Sequence, residues 1–162
     1  MEGAAPFLAM VLARLQQLGL DMAELQADHL CYRVGSAVRY QEMQSELAGL
    51  GVLLGESIVG GRPIATYRLH EPVRVQGQVV DVVELPAPKP GSPYPEGFEH
   101  AEFVVAGELE DLLRTHPSLD WDTGGLHKAH NPELRLRLGA ASAKFHRTAL
   151  AELIAAEKRD QA

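Results

Sequence analysis

This sequence cannot form a disulfide within itself, because it has one cysteine, Cys31. A chain held together by packing alone fits a reducing compartment, and a cytoplasmic location is expected. Basic residues are in the minority: 15 Lys and Arg stand against 22 Asp and Glu, for a formal charge of -7. That balance argues against a general nucleic-acid or anionic-membrane surface. Long apolar runs are missing too. Ala4 to Ala13 is apolar, but it lacks a signal peptide's basic flank and Arg14 follows it. It is too short to span a bilayer and reads as a helix of the mature protein. Low-complexity sequence is confined to Pro86–Gly97. What remains is 162 residues with a hydrophobic fraction of 46%, which suits one compact domain or two small modules sharing a core.

An echo organises the chain. Phe98 to Val105 reads Phe-Glu-His-Ala-Glu-Phe-Val-Val, and Asp28 to Val34 reads Asp-His-Leu-Cys-Tyr-Arg-Val. Each has an acid before a His, an aromatic three residues after it and a Val five residues after it. Both read as strands, and strand alternation puts His100 and Glu102 on one face with Glu99, Ala101 and Phe103 on the other. Two half-chains that open alike suggest a duplicated module. If the copies pair, His29 and His100 face each other across a shared groove.

The chain order follows from periodicity and turn residues. Phe7, Val11, Leu15 and Leu18 form a helical stripe, and Asp21 can cap a second short helix through Gln26. After the Asp28 strand, Ser36 can cap a helix carrying Tyr40, Met43, Leu47 and Leu50, which Gly51 stops. Val52 to Val59 is a strand, Gly60-Gly61 a turn, and Ile64 to His70 a strand. Pro72 and Gly77 flank another turn, and Gln78 to Leu85 is β-branched. The proline-rich 86–97 segment is stiff and extended. Beyond Phe98 the order repeats less clearly: a helix from Glu108 to Thr115, a short strand at Leu119–Thr123, a strand with Leu134, Leu136 and Leu138 inward, and a strand from Ser142 to Thr148. Leu150 to Lys158 is a closing helix. The expected layout is an α+β fold. It comprises a helical extension at 1–27, βαβββ modules at 28–85 and 98–148 around a shared groove, the linker 86–97, and a terminal helix at 149–162.

Several stretches carry a family resemblance: Asp28–Val34, Asp81–Pro95, Gly97–Phe103, Asn131–Leu136 and Lys144-Phe-His146. Over roughly residues 28 to 150 the chain resembles the YecM-type branch of the vicinal oxygen chelate superfamily, which includes glyoxalase I and the extradiol dioxygenases. The resemblance implies a metal-binding protein related to isomerases and oxidoreductases, with ligands on the first and last strand of each module. Carried onto this sequence, that selects His29, Glu84, His100 and His146. The superfamily's usual fourth ligand is a Glu, so His146 is a departure.

Strand parity supports Glu84 separately, since it shares a face with Val80 and Val82 and can turn toward the His-bearing face. Two His and a carboxylate suit Zn, Mn, Fe or Ni with positions left open. The plainer alternative is that each His is a satisfied sheet histidine and Glu84 a strand-end ion pair. Cys31 on the His29 face reads as a small buried residue. His70, His116, His127, His130 and Asp122 show no paired spacing and read as surface or turn residues. Arg33, Arg68, Arg135 and Arg137 alternate with apolar residues and are candidates for clamping an anionic ligand; ion pairing with Glu102, Glu133 or Glu84 is their alternative. Three functions follow. One is a metal-dependent isomerase, oxidoreductase or lyase acting on a small organic anion, with Glu102 or a metal-bound water as the proton-transfer candidate. Another is a metal-free or non-catalytic small-molecule-binding module of the same fold. The third is a structural or regulatory protein whose histidines are vestigial.

Overall fold

In the computed structural model, which describes residues 1–91 and 94–160, the two echoed segments lie side by side. Leu25–Arg33 (β1) and Gly97–Val105 (β5) pair antiparallel at the middle of an eight-stranded sheet. Leu30 opposite Ala101 marks the centre of the pairing, with His29 opposite Glu102 on one side and Cys31 opposite His100 on the other. From β1 the chain enters a helix, Ala37–Leu50 (α2), then strands Gly51–Val59 (β2), Arg62–Val75 (β3) and Gln78–Pro86 (β4). From β5 it enters Leu109–Thr115 (α3), then Trp121–Asp122 (β6), Leu134–Leu138 (β7) and Ala141–His146 (β8). The sheet order is β2-β3-β4-β1-β5-β8-β7-β6. In each half the last strand runs parallel to the first, as β4 does to β1 and β8 to β5.

Three helices among the described residues cover one face of this sheet. Ser36 caps α2 by accepting from the Arg39 amide, and Tyr40, Met43 and Leu47 pack on Ala65, Tyr67, Val83 and Leu85. Leu50 is 43% exposed and falls off that stripe. The N-terminal helix, Ala4–Gln17 (α1), is core rather than an appendage. It buries Ala4, Leu8, Val11, Leu12 and Leu15 against Leu30, Ala101, Phe103, Leu134 and Phe145. The buried stripe is rotated from the expected one, leaving Phe7 partly buried and Leu18 exposed. The expected second helix is a single 3-10 turn, Met22–Glu24, capped by Asp21; Leu25 already pairs with Val105 and the sheet claims the rest.

Turn chemistry fits its residues. Gly60 and Gly61 both take positive φ, as do Gln76 and Gly77. Pro72 lies within β3 and not outside it; the β3–β4 register breaks between Arg68 and Val73, which tolerates a residue with no amide hydrogen. The expected strands at 119–123 and 142–148 shorten to Trp121–Asp122 and Ala141–His146. The closing helix, Leu150–Asp160 (α4), buries no residue fully and rests on β2, with Ile154 beside Gly55. Residues 92 and 93 of the expected linker, and 161 and 162 of the expected terminal segment, lie outside the described residues. No helix among the described residues is long and apolar enough to cross a membrane.

Candidate metal centre

Two irregularities in the β1–β5 ladder shape the site. The register skips Asp28 between the Ala27 and His29 pairs, and skips Glu99 between the Cys31 and Tyr32 pairs. Each skipped residue is a β-bulge that re-aims its side chain. Strict alternation sends Glu99 away from His100. The bulge instead lets Phe98 stack on Phe7 of α1, at 5.4 Å between rings, and brings the Glu99 carboxylate round to His100. The acid-His echo thus has a structural meaning. Asp28 Oδ2 lies 2.8 Å from His29 Nδ1, and Glu99 Oε2 contacts His100 Nδ1. In both pairs a carboxylate accepts a hydrogen bond from Nδ1–H and leaves Nε2 pointing elsewhere.

Those Nε2 atoms converge. His29 and His100 are 2% and 3% exposed, and neither Nε2 has a hydrogen-bond partner among the described residues. His29 Nε2 is 3.4 Å and His100 Nε2 3.0 Å from Glu102 Oε1, and His100 Nε2 is 3.9 Å from Glu84 Oε2. One ligand atom from each of His29, Glu84, His100 and Glu102 lies within 4.8 Å of the others, a group that can hold a metal ion. Glu84 reaches it because β4 pairs Glu84 with Cys31. These residues line a cavity of about 300 Å³ with Cys31, Arg33, Arg62, Lys128, Glu133 and Lys144. Larger cavities elsewhere on the surface bring together no such group among the described residues.

The register does not place His146 as the counterpart of Glu84. Glu84 stands beside Cys31; the matching place on β8, beside Glu102, is Lys144. Lys144 Nζ is 3.0 Å from Glu102 Oε1. His146 lies two pairs further on, beside Val104, and is 1% exposed. Its Nε2 is 3.3 Å from Glu102 Oε2 and 3.5 Å from Asp28 Oδ2.

The four arginines separate. Arg33 and Arg135 both reach the Glu99 carboxylate, at 3.4 and 2.9 Å, and Arg135 also donates to Ser142. The acid they share, Glu99, is none of the three acids considered from sequence. Arg68 is exposed and pairs with Asp81 at 3.4 Å outside the cavity, and Arg137 is exposed. Sequence reasoning missed Arg62, Lys128 and Lys144. Lys144 shares a strand face with Ser142 and His146, and that parity was the available signal. His130 also lines the cavity.

Electrostatics follow from burying this many charges together. Burial disfavours a charged His29, but the Glu102 charge and the contacts with Asp28 and Glu102 outweigh it and hold the pKa up at about 10. His100 is likewise raised, with burial opposed by Cys31, Glu102 and Glu99. Burial pushes Glu102 up, while the surrounding imidazoles, His29 first, pull it well below the carboxylate range. Glu99 is lowered to about 2, against burial, by His100 and then by Arg33 and Arg135. Burial opposes a charged Lys144, yet Glu102 and Glu133 raise its pKa.

Comparison with known proteins places the chain. The family described as YecM protein matches residues 1–157. The chain belongs to the YecM family. That match extends the 28–150 resemblance through α1, consistent with α1 as core. Protein YecM of Escherichia coli K12 is 32% identical over 158 residues, covering 88% of this chain and 84% of that protein. A solved structure titled Structural Genomics, Protein EC4020 superposes with a TM-score of 0.76 at 29% identity, covering 94% of this chain and 88% of that one. The fold is also similar to that of a Streptomyces coelicolor methylmalonyl-CoA epimerase variant in complex with 2-nitronate-propionyl-CoA, with a TM-score of 0.55 at 12% identity over 76% of this chain and 97% of that one. That likeness concerns the fold alone.

Proposed function

We propose that this YecM-family chain is a divalent-metal-binding protein of the vicinal oxygen chelate type, built from two βαβββ modules, acting on a small organic anion. The observation that carries the reading is the pair of buried imidazole Nε2 atoms, unpartnered and aimed at Glu102 and Glu84. Their Nδ1 atoms are already oriented by Asp28 and Glu99, the arrangement that fixes a ligating imidazole. The donor set therefore fits Zn, Mn, Ni or Fe held by His29, His100, Glu84 and Glu102. When bound, the ion would supply Lewis-acid polarisation of a substrate oxygen. The chain's own residues would hold the rest. Arg33, Arg62 and Lys128 line the cavity and can orient an anionic group; Glu102, buried and kept ionised by the imidazoles around it, is read as a ligand rather than as the proton carrier. The cavity volume suits a small ligand.

Metal analysis of tag-free protein tests this. The expected result is a stoichiometric divalent ion, lost in His100→Ala, with metal-dependent melting in the wild type only. One observation favours the metal-free alternative: the Lys144 ammonium already neutralises Glu102 at 3.0 Å. If the protein retains none of Zn, Mn, Ni or Fe after dialysis, and His100→Ala leaves every melting curve unmoved, the metal-free binding module is the better reading.

A further inference from the structure

One imidazole of the cluster lies behind the cavity rather than on its wall. His146 is 1% exposed, and both of its ring nitrogens are buried without a hydrogen-bond partner among the described residues. An imidazole in that state is costly unless something binds it. The groups nearest its Nε2 are Glu102 Oε2 at 3.3 Å and Asp28 Oδ2 at 3.5 Å. Ligands held at roughly 2.0–2.2 Å in a tetrahedral shell stand about 3.3–3.6 Å apart. The spacing is already that of a ligand shell. One ligand atom from each of Asp28, His29 and His146 also falls within 4.8 Å of the others, a group that shares His29 alone with the His29, Glu84, His100 and Glu102 set.

Glu102 joins the two groups. Its Oε1 faces the Nε2 atoms of His29 and His100, and its Oε2 faces His146. We propose that the centre holds two divalent ions bridged by Glu102: an outer ion at the cavity and an inner one held by His146, Asp28 and the second Glu102 oxygen. Bridged pairs of this kind sit roughly 3.5–4 Å apart. Asp28 is fixed for the task, since its Oδ2 also accepts from the Leu150 amide and lies against His29 Nδ1. Of the four carboxylates here, Glu99 is paired with Arg33 and Arg135 and Glu102 with Lys144, so Asp28 and Glu84, which form no ion pair with Lys or Arg among the described residues, carry most of the charge that offsets the ions. The inner ion does not reach the cavity, because His146 and Asp28 are not among its lining residues. Its role is to fix Glu102 between the two positions. The inference rests on the outer site, because Glu102 belongs to both.

The test uses Zn and Mn as probes on chelator-stripped full-length protein. Elemental analysis after Zn loading is expected to give two ions per chain for the wild type and one for His146→Gln, with the fold checked by circular dichroism. Asp28→Asn gives the same measurement should His146→Gln fail to fold. Mn loading is expected to give the electron paramagnetic resonance spectrum of an exchange-coupled pair in the wild type and of an isolated ion in the variant. A wild type that saturates at one ion overturns the two-ion centre: retention of that ion in His146→Gln leaves the outer site standing, and its loss places the single ion at His146 and overturns the outer site instead. A wild type that takes up no ion overturns both.

Discussion

Lys144 is the residue expected to set the metal affinity of the proposed centre. It occupies the β8 place that matches Glu84 on β4, and its ammonium holds Glu102 Oε1 at 3.0 Å. A fixed positive charge there opposes any cation. Replacing Lys144 by Met is expected to tighten Zn binding by about tenfold to a hundredfold, since charges a few ångströms apart interact by roughly 4 kcal/mol near a protein surface before screening. Competition against a chelator of known affinity checks it; unchanged affinity would mean the ammonium swings away on binding. Protons compete as well. With His29 held up at about 10 and His100 also raised, both imidazoles are charged at neutral pH without metal. Binding an ion should then release about two protons, and affinity should rise with pH. The sign for stability is the opposite in stripped protein. A raised folded pKa gives stability present in full below 6.5 and lost as pH rises toward about 10, so stripped protein should weaken on the alkaline side. Indicator titration and melting curves across that range read both effects. Parity puts Lys144 on the His146 face, but its place against Glu102 is not legible until β8 is known to lie beside β5.

At the scale of elements, the bulges matter most. The echo of acid and His was visible in sequence, but parity alone assigned Glu99 to the wrong face, since one unpaired residue reverses alternation. Glu99→Gln removes the charged acceptor at His100 Nδ1 and is expected to weaken metal binding by about tenfold to a hundredfold with the fold intact. A variant that binds as the wild type does would make Glu99 a partner of Arg33 and Arg135 only. Gly51 shows a second element-level constraint. A helix stop was readable there, yet the structure gives a further reason for glycine: a Cβ would stand 2.2 Å from the Arg68 carbonyl oxygen. Gly51→Ala must push β2 from β3 and should cost about 1–3 kcal/mol in denaturant unfolding. The α2 helix was legible almost to the residue because Ser36 and a stop signal bracket it. The strands β6 and β8 were overextended because short elements carry little periodicity.

For the whole molecule, the α+β class and one shared sheet follow from features legible in sequence, while the place of α1 does not. An amphipathic stripe says that a helix covers something, never what. Here α1 from the N-terminus covers β5 and β8 from the far half. A fragment of residues 98–160 lacks both α1 and β1 and should remain largely unfolded, as circular dichroism and amide dispersion would show. A folded fragment would mean that the two halves are independent domains.

The seam pair Leu30–Ala101 has no exposed surface and touches neither cavity nor solvent, yet it sits midway between the His29–Glu102 and Cys31–His100 pairs. It works as a fulcrum. A larger side chain at Ala101 would press on α1 from behind and turn one central strand against the other, changing the gap between the two imidazoles. The bite of the proposed centre, and with it the ionic radius it would prefer, should then be adjustable from the oily side of the sheet.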